Sequence, residues 1–250
     1  MGCEKILQGK NVLITGTNRG IGKNILELFA ENGANIVACA RKRNKGFLNF
    51  LDTVKNKHMI DIQPLYFDLS KEQEVKDSLK KILSNKKEIH VLVNNAGVAH
   101  GGLLQMVSID HLKEIFEINL FSQLLIIQYI SKIMIRQNYG SIINIASVAG
   151  IDANPGYIGY GTSKAALIFA TKTLSKELAR YNIRVNAIAP GLTDTEMANQ
   201  MEKKAKSRML ESSSMNRLAR TDEISNTVLF LASDSSSFIT GQTLRVDGGI

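Results

Sequence analysis

A tyrosine and a lysine lie four residues apart in the sequence, at Tyr160 and Lys164, and a serine precedes them at Ser147. Side chains four residues apart share one face of a helix. A carbonyl group that accepts a hydride needs a proton donor on its oxygen. An unperturbed tyrosine, with a pKa of about 10, performs this role inefficiently at neutral pH. A neighbouring ammonium group lowers that pKa, so the spacing predicts carbonyl reduction with Tyr160 as proton donor.

Ser147 and Asn119 complete this candidate catalytic group. Ser147 follows a predicted strand, where its hydroxyl would hydrogen-bond the substrate oxygen as negative charge develops there. Asn119, on the preceding helix, is expected to hold a water that links Lys164 to solvent. Ordinary structural interpretations also exist: Tyr160 as an interface aromatic, Lys164 as a solvated charge and Ser147 as a strand cap. Because the tyrosine–lysine spacing is common in helices, the prediction depends on the neighbouring motifs.

Residues 15–22 form a glycine-rich turn between a predicted strand and a predicted helix. Gly16 allows the sharp turn, Gly20 lets a pyrophosphate approach the backbone, and Gly22 lets the helix pack close to the strand. The helix N-terminus then presents free N–H groups to the phosphates. The alternative is a tight turn that binds no ligand. The same turn contributes three further candidate cofactor-binding residues, Asn18, Arg19 and Ile21.

The end of the second predicted strand indicates which dinucleotide would bind. An NAD site would place an acidic residue there to bind the ribose hydroxyls. The sequence instead has three cations at Arg41–Arg43, and Arg19 lies in the nearby turn. Guanidinium groups suit a 2′-phosphate because they offer a fork of donors. We therefore predict NADPH/NADP+ rather than NADH, with Arg19 and Arg41 on the 2′-phosphate; the alternative is a solvated basic loop.

Short β-branched runs alternate with stretches of helical periodicity along the chain. Continuous apolar strands separated by helices predict a parallel sheet that is covered on both faces. We therefore expect an α/β fold, a Rossmann-type doubly wound parallel sheet of about seven strands. Ser70 is expected to cap the third helix, with Gln73 completing a capping box. The predicted strands are Asn11–Thr15, Asn35–Ala40, Ile62–Phe67, Ile89–Asn94, Ser141–Ala146, Ile183–Ala189 and Gln242–Val246, and the main later helices are Ser108–Ile135, Tyr160–Arg180 and Thr221–Ala232.

Composition limits the remaining possibilities. The chain has 250 residues, of which 44% are hydrophobic, and no linker interrupts the pattern, so we expect a single domain over residues 1–250. Two cysteines, Cys3 and Cys39, predict no disulfide framework and favour a reduced, cytoplasmic setting. Polar residues interrupt the most apolar region, Leu120–Ile135, so no membrane span is expected. The net charge of +8 admits nucleic acid, but no recognition motif supports it.

Taken together, these motifs resemble those of the short-chain dehydrogenase/reductase family. Four features carry the resemblance, with their order and spacing: residues 15–22, Asn94-Asn95-Ala96-Gly97, Ser147 thirteen residues before Tyr160, and Pro190-Gly191. The resemblance implies a Rossmann fold, a nicotinamide cofactor, a homotetramer and a catalytic tetrad of Asn119, Ser147, Tyr160 and Lys164. The complete tetrad argues against a non-enzymatic dinucleotide sensor. The same match assigns cofactor contacts to Asp68, Leu69, Asn95, Tyr160, Lys164, Thr193 and Thr195.

Within the family the chain most resembles the 3-oxoacyl-[acyl-carrier-protein] reductases. This resemblance implies an acyl-carrier protein as partner, docked on basic residues that match Arg136 and Arg180. The methionine-rich segment 193–215 is expected to line the substrate site; the alternative is an amphipathic mobile lid whose charges face water. The alternative is a reductase or dehydrogenase of another ketone or alcohol, such as a sugar, a polyol or a secondary metabolite.

Overall fold

A computed structural model describes residues 5–84, 87–199 and 203–250. Cys3 therefore lies outside the described residues. Seven strands form one parallel sheet in the order β3-β2-β1-β4-β5-β6-β7. The chain builds outward from β1 to one edge and then crosses to β4, which confirms the doubly wound arrangement. The strands are β1 Asn11–Thr15, β2 Asn35–Ala40, β3 Ile62–Tyr66, β4 Val91–Asn94, β5 Gly140–Ile145, β6 Ile183–Pro190 and β7 Thr243–Val246.

Helices cover both faces of this sheet. One layer contains α1, α2 and α9, and the other contains α3, α5 and α6. The central strands are buried on both faces: in β1, Val12 and Ile14 pack on the first layer and Leu13 on the second. The helices are α1 Gly20–Glu31, α2 Lys45–His58, α3 Glu72–Ser84, α4 Ile109–Phe116, α5 Ser122–Gln137, α6 Ile158–Leu178, α7 Glu196–Asn199, α8 Lys203–Ser212 and α9 Thr221–Ala232.

The predicted long helix after β4 is interrupted by one wide turn. The helix starts where the sequence places it, and Ser108 caps it, because its hydroxyl accepts a hydrogen bond from the His111 N–H. Residues Glu117–Phe121 then adopt a π-helical turn that separates α4 from α5. Insertions of this kind are frequent at functional sites because they redirect side chains without ending the helix. The turn contains Asn119, one of the four predicted catalytic residues.

The rod formed by α4, the π-turn and α5 is long and apolar enough to cross a membrane, judged by length and composition alone. More than half of its most apolar stretch is buried inside the protein. Ile126, Ile127 and Ile130 pack in the second core layer against the sheet and α3. The rod is thus a core helix of this fold.

The start of α3 differs from the sequence-based expectation. Ser70 does not cap the helix; its hydroxyl donates a hydrogen bond to the Asp68 carboxylate. Gln73 does not complete a capping box either, because its amide donates to Asp77 on the next turn. The Glu74 carboxylate instead accepts the backbone N–H of Asp68 at 3.1 Å. Asp68, which follows β3, therefore organises this turn through its carboxylate and its backbone N–H.

Candidate active site

The predicted catalytic side chains meet where β5 ends and α6 begins. Ser147 follows the last residue of β5 by two positions, and Tyr160 and Lys164 lie on the first two turns of α6. The Lys164 ammonium lies 5.9 Å from the centre of the Tyr160 ring. Asn119 joins them through Ser163, whose hydroxyl oxygen accepts from the Asn119 amide at 3.1 Å. In a parallel sheet this carboxyl-end crevice is where ligands bind.

Lys164 is a buried cation held by a main-chain oxygen. Only 4% of the residue is exposed. Its Nζ donates a hydrogen bond to the carbonyl oxygen of Ile145, the last residue of β5, at 2.7 Å. Burial lowers the pKa of Lys164 from 10.5 to about 8, because desolvation penalises the charged form. At neutral pH most of the protein therefore still carries the ammonium group.

Tyr160 differs from the expectation in one respect. The sequence predicts that Lys164 lowers the tyrosine pKa, whereas in the structure burial raises the pKa of Tyr160 above 10. A hydrogen bond with Ser147 lowers the pKa but does not offset the burial. The reason is geometric: the Lys164 amine is committed to the Ile145 carbonyl rather than to the phenol. The protein alone therefore keeps Tyr160 protonated, which is the state that a proton donor needs.

Ser147 fulfils a structural role as well. Its hydroxyl oxygen accepts the Ala149 N–H at 3.2 Å and caps a short 3-10 turn over Val148–Gly150. Gly150 lets this turn lie against α6, since a Cβ at that position would be 2.7 Å from the backbone of Lys164. The cap thus fixes the serine beside the helix that carries Tyr160.

The side chain of Asn119 has a structural role as well. Its oxygen accepts the Val98 N–H at 2.9 Å, and its amide donates to the Val98 carbonyl at 2.8 Å. With the bond to Ser163, both ends of the amide are engaged by protein atoms. The predicted role of Asn119 in holding a water that links Lys164 to solvent stays a prediction. These hydrogen bonds also tie the loop after β4 to α6.

The glycine-rich turn has the close contacts that its glycines predict. Gly16 and Gly20 have φ angles of +73° and +55°, which favour glycine. A Cβ on Gly22 would lie 2.2 Å from the Gly16 carbonyl oxygen, so α1 packs directly on the turn. Ile21 packs against the first core layer, and Asn18 is exposed. This backbone cradle beside a helix N-terminus fits a dinucleotide phosphate.

The two arginines that were predicted to bind a 2′-phosphate lie near this cradle but differ in their surroundings. Arg19 forms an exposed ion pair with Glu196 on α7, with 2.6 Å between the charged atoms. Arg41 is exposed directly after β2. Against the opposing effect of burial, hydrogen bonds from Ser70 and the charge of Arg41 hold the pKa of Asp68 below its ordinary value.

Other predicted cofactor contacts lie around the same crevice, several with structural partners. Asp68 and Leu69 follow β3, and Leu69 packs in the core. The Asn95 amide donates to the carbonyls of Thr15 and Gly16, so it ties β4 to the glycine-rich turn. The remaining two predicted cofactor contacts, Thr193 and Thr195, lie on the segment after β6. The Thr193 hydroxyl donates to Gly191, and the Thr195 hydroxyl donates to Thr193.

Arg136 and Arg180 lie near the amino ends of the strands, whereas the catalytic residues lie near the carboxyl ends. Arg136 is at the end of α5 just before β5 begins, and Arg180 directly follows α6 just before β6 begins. Both are exposed. Ser147, by contrast, follows the end of β5. A six-residue strand spans roughly 20 Å. These arginines and the tetrad of the same chain are therefore separated by about the length of one strand.

Two features of the site were not predicted from the sequence. The π-turn that carries Asn119 follows from no residue pattern, because its residues continue the helical periodicity. Tyr157 lies 6.4 Å from Tyr160 between ring centres, and its hydroxyl donates to the Met209 sulfur of α8 at 3.7 Å. The methionine content of segment 193–215 was the one available indication that this segment reaches the site.

Known proteins identify the family. A family model described as "Enoyl-(Acyl carrier protein) reductase" matches residues 16–250. The chain belongs to the short-chain dehydrogenase/reductase family. Among the relatives of this chain, the 3-oxoacyl-[acyl-carrier-protein] reductases FabG of Thermotoga maritima and Chlamydia trachomatis are each 37% identical to it. In each case the match covers 98% of both chains.

Solved structures agree with this assignment. A 3-oxoacyl-[acyl-carrier protein] reductase from Brucella melitensis has a TM-score of 0.90 and 30% identity, covering 99% of this chain and 93% of that one. A candidate gluconate dehydrogenase from Agrobacterium tumefaciens has a TM-score of 0.92 and 26% identity, covering 98% and 97% of the two chains. This short-chain dehydrogenase/reductase is thus an oxidoreductase that acts on CH–OH or C=O groups. The family implies a nicotinamide cofactor.

Proposed function

We propose that this protein is an NADPH-dependent reductase that converts 3-oxoacyl-[acyl-carrier-protein] to 3-hydroxyacyl-[acyl-carrier-protein]. The observation that carries the proposal is the buried Lys164, held against the Ile145 carbonyl beside Tyr160 and Ser147. A buried ammonium with one hydrogen-bond partner costs stability, and such costs are typical of functional sites. Lys164 lies at the carboxyl end of the same parallel sheet as the glycine-rich turn, and this placement favours chemistry on a bound dinucleotide.

The proposed mechanism assigns one task to each catalytic residue. A nicotinamide cofactor at this site supplies the hydride. Tyr160 donates its phenolic proton to the oxygen of the 3-keto group, and the Ser147 hydroxyl hydrogen-bonds the same oxygen as charge develops. Lys164 would hold the nicotinamide ribose and, once its amine leaves the Ile145 carbonyl for that ribose, would stabilise the phenolate by its charge. Asn119 positions the loop after β4 against α6 and would hold the water that links Lys164 to solvent in a proton relay.

An apolar rim around the crevice supports an acyl substrate rather than a sugar. Several large apolar side chains are exposed on the segments that surround Ser147 and Tyr160. The Gly102 N–H donates to the Gly156 carbonyl at 2.8 Å and joins two of these segments beside the start of α6. Exposed apolar patches of this kind mark binding sites. The rim residues are Leu103, Leu104, Met106, Ile151, Ile158, Met197 and Met215.

We further propose an acidic carrier protein as partner, a homotetramer as the working assembly and a cytoplasmic location. The net charge of +8 favours an acidic partner, and Arg136 and Arg180 are the proposed docking residues. Because they lie at the amino ends of the strands, far from the tetrad of their own chain, they would serve the active site of another subunit. Exposed Phe121 and Phe169, on the π-turn and α6, support contacts between copies. We propose no nucleic acid and no membrane as partner.

A substrate panel tests the proposed reaction. NADPH oxidation is measured with acetoacetyl thioesters of acyl-carrier protein and coenzyme A, and compared with free ketones and keto-sugars at equal concentrations. We expect the carrier-bound thioester to have the highest kcat/KM. Tyr160→Phe should abolish turnover and leave NADPH binding intact, while Tyr157→Phe, which keeps the neighbouring ring, should retain activity. A higher kcat/KM with keto-sugars, or turnover by Tyr160→Phe, would contradict the proposal.

The second candidate is a dehydrogenase of a sugar, polyol or another alcohol. The likeness in fold to the candidate gluconate dehydrogenase favours it. Oxidation of such alcohols with NADP+ in the same panel, at a kcat/KM above that for the thioesters, would support this candidate.

A further inference from the structure

A small polar cavity lies beside the glycine-rich turn, between the N-terminal ends of α1 and α2. Its volume is about 240 Å³. The turn contributes one side chain, α1 contributes one, and the first part of α2 with its cap contributes the rest. Of the lining residues, the sequence assigned Asn18 alone to the cofactor. The lining residues are Asn18, Lys23, Asn44, Gly46, Phe47 and Phe50.

The electrostatics of this cavity favour an anion. Lys23 is its one ionisable lining residue. The adjoining stretch Arg41–Leu51 has four cations and no carboxylate. The N-terminus of the 14-residue α2 opens at the cavity, and Asn44 caps it by accepting the Phe47 N–H. The first amides of a helix have no intrahelical acceptor and carry partial positive charge, which adds to the field of the lysine.

Lys23 is held in place by an aromatic ring. Its ammonium lies over the face of Phe50, 4.6 Å from the ring centre. Its backbone N–H donates to the Arg19 carbonyl, so Lys23 lies one helical turn after the glycine-rich turn. The residue is half-buried. A lysine fixed in this way loses less side-chain entropy on binding a ligand than a free one would.

The other cations near the turn are less suitable. Arg19 is already paired with Glu196, so a ligand must compete for it. Arg41 is exposed and lies close enough to Asp68 to lower the pKa of that carboxyl, although burial of Asp68 opposes the effect. Lys23 forms no ion pair with any carboxylate in residues 5–84, 87–199 and 203–250. It is therefore the cation near this cavity that is both positioned and uncommitted within that part of the chain.

We propose that Lys23, positioned by Phe50, binds the 2′-phosphate of NADP(H) and is the principal determinant of selectivity for the phosphorylated dinucleotide. This inference rests on the proposed function, which puts a dinucleotide on the glycine-rich turn. The cavity adjoins both that turn and the end of β2, where the adenosine ribose of a dinucleotide lies in this fold. Arg19 and Arg41 then have a supporting role.

Fragment binding tests the proposal without any turnover. Isothermal titration gives the Kd of 2′,5′-ADP and of 5′-AMP, two probes that differ by the 2′-phosphate. The wild-type protein should bind 2′,5′-ADP more tightly. Lys23→Gln should weaken 2′,5′-ADP about tenfold or more and leave 5′-AMP unchanged, because a charge-assisted hydrogen bond to phosphate is lost. Phe50→Leu keeps the apolar packing and should weaken 2′,5′-ADP about two- to fivefold.

Two controls keep the outcomes distinct. Lys132 lies over the Tyr129 ring at 5.3 Å on α5, so Lys132→Gln removes a similarly seated lysine away from the cavity and should change neither Kd. Lys23→Arg keeps the charge and should restore most of the affinity. A 2′,5′-ADP affinity within twofold of wild type in Lys23→Gln, or equal losses for both probes, would overturn the assignment. A wild-type protein that prefers 5′-AMP and NADH would instead refute the NADPH preference itself.

Discussion

Replacing Lys164 with methionine should abolish activity and at the same time stabilise the protein at neutral pH. The side chain is buried, and burial holds its pKa at about 8 instead of 10.5. Folding therefore places a charged group in a site that disfavours the charge. Methionine has a similar length and no charge, so Lys164→Met removes this desolvation cost while largely preserving the packing around Ser147 and Tyr160.

The magnitude follows from the pKa. One pKa unit is worth about 1.4 kcal/mol, so a decrease from 10.5 to about 8 corresponds to about 3 kcal/mol at neutral pH. The variant also loses the hydrogen bond to the Ile145 carbonyl, which costs about 1–2 kcal/mol. The net gain is about 1–2 kcal/mol at pH 7. Above pH 8 the folded protein binds fewer protons than the unfolded chain, so wild-type stability rises and the advantage disappears by about pH 10.

Urea unfolding at about pH 7 and about pH 9.5 measures this effect, with the protein concentration held constant because the proposed assembly would contribute to apparent stability. The free-energy difference between Lys164→Met and wild type should change by about 2 kcal/mol between the two pH values. Lys172 is exposed on the same helix, and Lys172→Met should show no such pH dependence. A difference for Lys164→Met that is independent of pH would refute the view that this lysine is desolvated.

Three other perturbations test separate parts of the structure. Gly22→Ala would place a Cβ 2.2 Å from the Gly16 oxygen; it should cost about 1–3 kcal/mol and weaken dinucleotide binding, and an unchanged Tm and Kd would contradict the close packing. Burial lowers the pKa of His90, whose Nδ1 accepts the Asn11 N–H, so stability should fall as pH drops below about 6.5. His90→Asn should flatten that part of the pH profile, and a wild-type slope in the variant would exclude His90. Phe169→Glu should lower the assembly mass measured by light scattering, whereas an unchanged mass would remove Phe169 from any interface.

The sheet was predictable because its strands are buried on both faces. All seven predicted strands occur within two residues of their predicted ends. Glycine spacing also carried structural information: the positive φ of Gly16 and the packing at Gly22 follow from the interpretation of residues 15–22. In the same way, the spacing of Tyr160 and Lys164 places both on the first turns of α6.

Features that depend on main-chain partners or distant pairs were not predictable. The partner of Lys164 is the carbonyl of Ile145, and a carbonyl has no side-chain identity to find in a sequence. Because that bond commits the amine, the expected lowering of the Tyr160 pKa is absent. The pairing of Arg19 with Glu196 joins residues 177 positions apart. By contrast, the position of Arg136 could have been predicted from the topology. Helix α5 runs antiparallel to the strands, so its last turn lies near the amino end of β5.

The ion pair between Arg19 and Glu196 makes the glycine-rich turn and the methionine-rich segment thermodynamically linked. Any anion that draws Arg19 away must also release Glu196 and with it one restraint on α7. Linkage is reciprocal, so a substrate that displaces α7 frees Arg19 to the same extent. An exposed pair of this kind is worth up to about 1 kcal/mol, which corresponds to about a fivefold change in affinity. The cooperativity between the two ligands would then decrease with salt, since ionic strength weakens the pair.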